Sequence, residues 1–186
     1  MWEAGFDSRW DRQISMFELY IMTTQDLYKN NIEVLKKLDI QFKECTSEPV
    51  LSYETAEKVR KEFGLTGIES KSLFLKGKDG KYYMLVSVEG KRADFDRLKQ
   101  VTATKISVAS QEELKEKTGC DPHCAVPFGY PSEITLLINP EIYNSKKFIF
   151  SPGPPEKTIE IDTKDIDLIL EALPNNKIKL LSSPHQ

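Results

Sequence analysis

The sequence is poor in the residues from which metal centres and disulfide frameworks are built. It contains three cysteines and two histidines in 186 residues. A structural zinc site needs four ligands, usually as two separated pairs, and Cys120, His123 and Cys124 have no second pair to complete them. An odd number of cysteines in a chain of this length favours free thiols over disulfide bonds. We therefore expect no metal, no cofactor and a cytoplasmic setting.

Long apolar runs and the familiar enzyme motifs are also missing. No apolar run is long enough to span a bilayer, and the start of the sequence lacks the basic and apolar blocks of a secretory signal. The sequence contains no Gly-x-Ser-x-Gly elbow, no phosphate-binding P-loop and no dinucleotide fingerprint. We expect no membrane association, and an activity outside the enzyme classes that these motifs mark.

Positive charge is concentrated in the middle of the sequence, although it is not in excess overall. The formal net charge of −3 argues against indiscriminate nucleic-acid binding. Between positions 70 and 105, however, nine side chains are basic and four are acidic. Such a segment can bind a phosphate backbone locally, or it can be a solvated face of lysines. The sequence leaves both interpretations open.

We expect residues 1–23 to be an amphipathic extension ahead of the main domain, residues 24–186. The large apolar side chains of the extension recur at steps of three or four, which is the spacing of one helix face. They are Trp2, Phe6, Trp10, Ile14, Phe17 and Ile21. Such a helix either docks a partner or a second copy of the chain, or packs back on its own domain.

The main domain mixes helical and strand patterns without strict alternation. The predicted helices cover residues 24–39, 53–63, 94–101, 110–119 and 164–173. The predicted strands cover residues 40–46, 68–76, 82–89, 105–109, 134–138, 147–150, 158–161 and 178–181. Thr23, Ser52 and Ser110 are well placed as helix N-caps. This order predicts a single α/β domain with one mixed sheet that is partly wrapped by helices.

Residues 119–130 form the segment best suited to a binding site. This segment combines small residues, two prolines and the histidine that lies away from the chain end. Small side chains let another molecule approach the main chain, and prolines restrict the backbone. Residues 151–155, Ser-Pro-Gly-Pro-Pro, form a second loop of the same rigid kind. Loops of this type on a rigid scaffold often bind the substrate.

Lys71 breaks the pattern of its predicted strand. Alternation places it on the same face as Leu73 and Leu75, so a charge falls among apolar positions. A lysine at the start of a strand can extend its ammonium group to the sheet edge. On the core face it must instead meet an anion or a set of carbonyl oxygens. Lys71 is therefore a candidate functional residue.

Taken in order, these features resemble the prolyl-tRNA-editing superfamily of the YbaK/ProX type, which also occurs inserted in bacterial prolyl-tRNA synthetases. The strand that begins at Lys71 reads Lys-Ser-Leu-Phe-Leu-Lys, and a Lys-Asp-Gly-Lys hairpin and Tyr-Tyr-Met-Leu-Val follow it. Next come the Ala-Ser-Gln-Glu-Glu-Leu helix leading to Thr-Gly-Cys, the loop at 122–128, and Phe-Ser-Pro-Gly with Thr-Ile-Glu-Ile. The similarity extends over residues 32–181.

The resemblance implies a mixed, partly barrel-like sheet surrounded by helices, and hydrolysis of the ester that joins a wrong amino acid to tRNA. The family lysine falls on Lys71, and the family's Gly-x-x-x-Pro loop falls on residues 123–127. The implied catalytic residues are Lys71, His123, Cys124, Ala125, Val126 and Pro127. The implied substrate-binding residues are Ser72, Phe74, Phe128, Ser151, Pro152 and Gly153. The implied partners are the acceptor end of tRNA for proline and prolyl-tRNA synthetase.

Two departures from the family pattern bear on the substrate. His123 stands where the family has glycine, and histidine is among the non-glycine residues enriched at positive φ, so the loop backbone can persist. Relatives that act on alanine carry Asn and His where this chain has Ser72 and Ser151. The resemblance leaves cysteine, alanine or another small amino acid open, and we expect Cys-tRNA(Pro) or Ala-tRNA(Pro).

The missing nucleophile is compatible with this chemistry because an aminoacyl ester is already activated. A site need only position water or the terminal hydroxyl of the tRNA, and stabilise the oxyanion with the backbone amides of residues 124–126. We therefore expect a free-standing trans-editing deacylase. One alternative is a non-hydrolytic tRNA-binding or synthetase-associated module with the same fold. Another is a thiol enzyme using Cys124, although neighbouring side chains such as His123 and Cys124 point apart in an extended loop.

Overall fold

The computed structural model describes residues 22–181, so the apolar stripe predicted within residues 1–23 lies outside the described residues. The α-helices in this part of the chain are α1 (Thr24–Lys37), α2 (Tyr53–Phe63), α3 (Phe95–Thr102), α4 (Gln111–Thr118) and α5 (Ile166–Ala172). The strands are β1 (Phe42–Thr46), β2 (Ile68–Gly77), β3 (Tyr82–Val88), β4 (Ile106–Val108), β5 (Ile134–Ile138), β6 (Lys147–Phe150), β7 (Lys157–Asp162) and β8 (Lys177–Lys179). Short 3-10 helices occupy Pro140–Asn144 and Thr163–Asp165. The predicted mixed α/β fold is confirmed.

Local sequence signals set the helix boundaries. Thr23 and Ser110 each form a capping box with the acidic residue three positions later, and Ser52 accepts a hydrogen bond from the Thr55 amide. Gly64 ends α2 in the left-handed conformation, which glycine adopts without steric cost. The predicted N-caps are therefore confirmed. No helix among the described residues has the length and apolar character needed to cross a bilayer.

Strand β2 joins the two parts of an eight-stranded mixed sheet. Its first residues, Ile68 and Glu69, pair in parallel with β6, and the sheet continues through β7 to β1. From Ser70 onward, β2 pairs antiparallel with β3, and the sheet continues in parallel through β5 to β8. Strand β4 pairs antiparallel with the last residues of β2. The partner of β2 therefore changes between Glu69 and Ser70.

Two clusters of buried side chains cover the opposite faces of the sheet. Phe74 and Met84 belong to the larger cluster, which also contains Leu27 of α1. The adjacent residue Leu75 belongs to the smaller cluster, together with Leu98 of α3. Since successive side chains of a strand point to opposite faces, this division follows from the alternation in the sequence.

Candidate functional site

A cavity of about 600 Å³ opens between β2, α2, the start of α4 and the loop of residues 119–130. Its volume is ordinary for a site that binds a small ligand, for which ~300–1,000 Å³ is typical. Seven of the residues proposed from the sequence line its wall: Lys71, Ser72, Phe74, His123, Cys124, Ala125 and Ser151. The other five are buried and do not line it: Val126, Pro127, Phe128, Pro152 and Gly153. A more open hollow of about 500 Å³ on another part of the surface contains none of the twelve.

Lys71 lies half-buried in the cavity wall, directly opposite Ser87 of β3. Within residues 22–181 its ammonium group has neither a hydrogen bond nor an ion pair. Lys76, on the same strand, is by contrast paired with Glu113 of α4. A partly desolvated cation without a protein partner is costly unless an anion or a polar ligand completes its surroundings. The position of Lys71 therefore suits a group that contacts a bound anion or a carbonyl oxygen.

The loop that carries His123 is left-handed at that residue, a conformation that glycine adopts readily. His123 has a φ of 67°, in the left-handed region, and its side chain is exposed. The prediction that histidine can occupy this position at positive φ is confirmed. The next residue, Cys124, donates its amide hydrogen to the Asp121 carbonyl at 3.0 Å, which closes a tight turn. The Asp121 carboxylate in turn accepts a hydrogen bond from Lys115 of α4 at 2.7 Å.

Tyr130 holds the second half of this loop from inside the core. Its hydroxyl accepts a hydrogen bond from the Val126 amide at 2.9 Å and donates one to the Val126 carbonyl at 2.7 Å. The predicted oxyanion contact from the Val126 amide is therefore wrong for this structure, because that donor is already used. The Cys124 amide is used by Asp121. Of the three amides proposed, only that of Ala125 has no partner among the described residues.

Asn31 of α1 fastens both rigid loops to the same helix. Its side-chain amide, buried with 4% exposure, donates to the carbonyl of Phe128 at 3.0 Å and to that of Pro152 at 2.9 Å. A third bond, to the Leu27 carbonyl within α1, measures 2.9 Å. Phe128 packs edge-on against Phe150 at a centroid distance of 5.6 Å. Phe128 and Pro152, both predicted to contact the substrate, instead support the cavity from behind.

Close approach to α1 explains the glycine in the second loop. A Cβ atom on Gly153 would lie 2.1 Å from the Thr24 carbonyl oxygen, so any other residue would push the loop away from the helix. Gly153 therefore acts through backbone packing. Pro127 and Val126 lie in the buried segment that Tyr130 closes, and they act in the same indirect way.

The remaining proposed residues contribute to the wall in different ways. Phe74 is 3% exposed and stacks on Tyr82 at a centroid distance of 5.2 Å, so it forms a fixed apolar part of the wall. The Ser72 hydroxyl is buried and has no hydrogen-bond partner among the described residues. The Ser151 hydroxyl donates to the Pro154 carbonyl at 3.1 Å and so stabilises its own loop. Ser72 thus has the one of these two hydroxyl groups that makes no hydrogen bond within residues 22–181.

The thiols near the cavity are held in their neutral form. Burial is the main cause that raises the pKa of Cys124, and Cys120 and Asp121 raise it further. Burial also raises the pKa of Cys120, which is fully enclosed. Because the thiolate is the reactive form of cysteine, these surroundings do not favour nucleophilic catalysis by Cys124. No group of three or more His, Cys, Asp or Glu residues within 22–181 is arranged to hold a metal ion.

Comparison with known proteins identifies the family. The model of the aminoacyl-tRNA editing domain matches residues 51–168, which include β2, the cavity and both rigid loops. The chain belongs to the aminoacyl-tRNA editing domain family. The resemblance inferred from Lys71 and the loop motifs is therefore confirmed at the level of the family. No curated protein matches the chain.

Solved structures share the fold of this editing domain at low sequence identity. The hypothetical protein APE2540 is 18% identical with a TM-score of 0.67, and the match covers 79% of this chain and 97% of that one. A candidate trans-editing enzyme for prolyl-tRNA synthetase is 16% identical with a TM-score of 0.63, and the match covers 84% of this chain and 98% of that one. At these identities the likeness establishes the fold alone.

Sequence reasoning missed three residues that line or support the cavity. Glu69 lies two positions before Lys71 and lines the same cavity, and Tyr53 lines its rim. Asn31 anchors both loops. The alternation that singled out Lys71 also puts Glu69 on the same strand face, so the signal for Glu69 was present. The signal for Asn31 was a polar residue midway between Leu27 and Leu35, at the spacing of one buried helix face.

Proposed function

We propose that this editing domain is a deacylase that hydrolyses the ester of mischarged tRNA, with Cys-tRNA(Pro) or Ala-tRNA(Pro) as the first candidates. The observation that carries the proposal is the half-buried, unpartnered ammonium of Lys71 in a cavity shared with residues 123–125. Family membership supports the substrate class. The solved relatives consist almost wholly of this domain, which supports action in trans, with or without prolyl-tRNA synthetase as a partner.

The proposed chemistry requires no attacking side chain. Water, or the free terminal hydroxyl of the tRNA, attacks the ester carbonyl, and the negative charge that develops on its oxygen is stabilised by fixed donors. The Ala125 amide and the Lys71 ammonium are the candidate donors because neither has a partner among the described residues. The buried bonds of Tyr130 and Asn31 keep the loop still, so little reorganisation is needed when charge develops.

The rim of the cavity suits the terminal nucleotides of tRNA. Leu51, Tyr53 and Val108 line the cavity and expose 62%, 58% and 55% of their surface, respectively. An exposed aromatic ring offers a stacking surface for a base. Ser52 and Ser110 also line the cavity and begin α2 and α4, where backbone amides and the helix dipole favour phosphate. We propose that the terminal adenosine stacks at this rim.

A deacylation panel tests the proposed function directly. The protein is incubated with cysteinyl-, alanyl- and seryl-tRNA(Pro), with correctly charged prolyl-tRNA(Pro) as the control, and the released amino acid is measured. We expect release of the amino acid from at least one mischarged species. The assay is then repeated with prolyl-tRNA synthetase present, to test whether the synthetase is a partner. Tight binding without turnover on every species would support the non-hydrolytic module instead.

Tyr53→Ala should weaken tRNA binding because it removes the stacking surface at the rim. We expect the Kd for deacylated tRNA(Pro) to rise about tenfold. Phe95→Ala is the matched control, since Phe95 is an exposed aromatic residue of α3 outside the cavity wall. Binding is measured by filter retention at fixed salt. Equal affinities of the two variants would contradict a stacking role for Tyr53.

Cys124→Ala should leave most of the deacylation activity intact. The raised pKa of Cys124 keeps the thiol protonated near neutral pH, so it contributes no nucleophile. The measurement is kcat/KM on the best substrate of the panel, together with trapping of any thioester by rapid acid quench. Loss of activity in Cys124→Ala, with a trapped acyl-enzyme in the unmodified protein, would establish the thiol mechanism.

A further inference from the structure

Glu69 lines the cavity that contains Lys71, and its carboxylate has no partner among the described residues. It lines the cavity two residues before Lys71 on β2. Its Oε2 atom is buried without a hydrogen-bond partner, and its carboxylate has no ion pair within residues 22–181. An unpartnered buried carboxylate destabilises a fold, because burial removes its hydration and nothing replaces it. A ligand that supplies a donor would remove this cost.

The surroundings of Glu69 hold its carboxyl group near the middle of its titration at neutral pH. Burial raises the pKa of Glu69 to about 7, Arg60 of α2 acts to lower it, and Glu89 acts to raise it. The Glu89 amide donates to the Glu69 carbonyl, so the two residues lie opposite each other at the end of the β2–β3 pair. A cation that binds beside Glu69 will favour the ionised form and displace the proton.

We propose that Glu69 binds the α-ammonium group of the aminoacyl ester, an inference that rests on the proposed function. Every aminoacyl-tRNA with a free amino group carries this cation one carbon away from the scissile carbonyl. The wall of the cavity offers one unpartnered carboxylate, and the ester offers one cation next to its reactive centre. Glu69 is thus a substrate-binding residue that recognises the acyl group as that of an amino acid.

The spacing of Glu69 and Lys71 suits this assignment. Residues two apart on one strand face are separated by about 6.5 Å. The α-ammonium nitrogen of an aminoacyl ester lies about 3 Å from the carbonyl oxygen, and the long side chains of Glu69 and Lys71 can converge on two groups this close together. Glu69 beside the ammonium and Lys71 beside the developing oxyanion would therefore orient the ester.

The test compares substrates that differ only at the α-position. The unmodified protein and Glu69→Gln are assayed on the aminoacyl-tRNA(Pro) that the protein hydrolyses best, and on the matching 2-hydroxyacyl-tRNA(Pro), in which a hydroxyl replaces the ammonium. We expect the unmodified protein to prefer the aminoacyl substrate about 10- to 100-fold in kcat/KM. Glu69→Gln should lose this preference and retain its activity on the 2-hydroxyacyl substrate. Glu171→Gln, an exposed carboxylate of α5, is the control.

Any other outcome of this comparison contradicts the assignment of Glu69 to the α-ammonium group. Equal losses on both substrates would make Glu69 a proton acceptor for the attacking water or a structural residue, and no loss would remove it from the site. If the unmodified protein hydrolyses no charged tRNA, the proposed function fails. Ammonium recognition is then judged separately, from the affinity of the protein and of Glu69→Gln for 3′-alanylamino-3′-deoxyadenosine. If the unmodified protein and Glu69→Gln bind this stable amide with equal affinity, ammonium recognition by Glu69 is overturned.

Thermal unfolding distinguishes a binding role from a damaged fold. The folded-state pKa of about 7 lies above the ordinary value of 4.5, so the folded protein keeps a proton that the unfolded chain loses between these values. The contribution of Glu69 to stability is therefore lost as the pH rises through this window. Glu69→Gln should melt at a higher temperature than the unmodified protein at pH 8 and at the same temperature at pH 4. If Glu69→Gln melts in this way and has lost the preference for the aminoacyl substrate, the loss reflects a missing contact with the substrate and not a damaged fold.

Discussion

Replacing Lys71 by alanine is expected to lower kcat/KM for deacylation by about 100- to 1,000-fold, the usual cost of removing one donor that stabilises an oxyanion. Lys71 is half-buried in the cavity wall, and its ammonium group has no partner within the described residues, so its removal should cost little stability. The loss should therefore appear in activity while the melting temperature stays nearly constant. Single-turnover deacylation of the best substrate measures it.

Lys99→Ala is the matched control for this result. Lys99 belongs to the same basic segment but lies exposed on α3, outside the cavity wall. If the role of Lys71 were general attraction of the tRNA backbone, the two variants would lose similar amounts of activity, and added salt would reduce the difference. A loss confined to Lys71→Ala that persists at high salt assigns Lys71 to the site. Full activity in Lys71→Ala would contradict the proposed mechanism.

Replacing Asn31 by leucine is expected to reduce both stability and activity. The substitution keeps the approximate size of the side chain but removes the donors to the Phe128 and Pro152 carbonyls. Each buried carbonyl left without a partner costs on the order of 1–3 kcal/mol, so we expect the free energy of unfolding to fall by about 3 kcal/mol. Because both rigid loops lose their attachment to α1 together, kcat should fall although no residue of the cavity wall has changed.

Urea denaturation and deacylation kinetics test the Asn31 prediction together. Asn144→Leu is the control, because Asn144 is exposed at the end of a 3-10 helix and its side chain makes no hydrogen bond within residues 22–181. Asn31→Leu should lower the unfolding midpoint, and it should lower kcat at temperatures where the variant is fully folded. Unchanged kcat in the folded variant would mean that the loops keep their positions without Asn31.

The fold could be predicted from the sequence because its signals are local. Ser52 and Gly64 bracket α2 at the predicted residues, and β5 and β6 have the predicted bounds. These signals act through backbone hydrogen bonds within a few residues. The family motifs added the order of the elements and brought attention to Lys71. Helix α5 lacks a side-chain N-cap, and it is shorter than predicted and follows a 3-10 turn.

The site was only partly predictable because its loops are organised by distant contacts. Sequence position suggested that Val126 would present its amide to a substrate. The structure assigns that amide to Tyr130, a bond that depends on how the loop folds back into the core. The Asn31 side chain bonds to Phe128 and Pro152, which lie 97 and 121 positions further along the chain. No pattern within a short window specifies such pairings, whereas the charge of Glu69 was visible in the strand and was overlooked beside Lys71.

The change of pairing partner along β2 links the shape of the proposed site to the arrangement of the whole sheet. Glu69 lies where the two parts meet, because it pairs with β6 and its carbonyl also accepts a bond from Glu89, whereas Lys71 pairs with β3. The direction in which the two side chains project relative to each other thus depends on the angle between the parts. A substitution near the point where the partner changes, or in the distant strand β1, would shift this angle and alter which acyl groups fit the proposed site. New substrate preferences would then arise while every proposed contact residue stays the same.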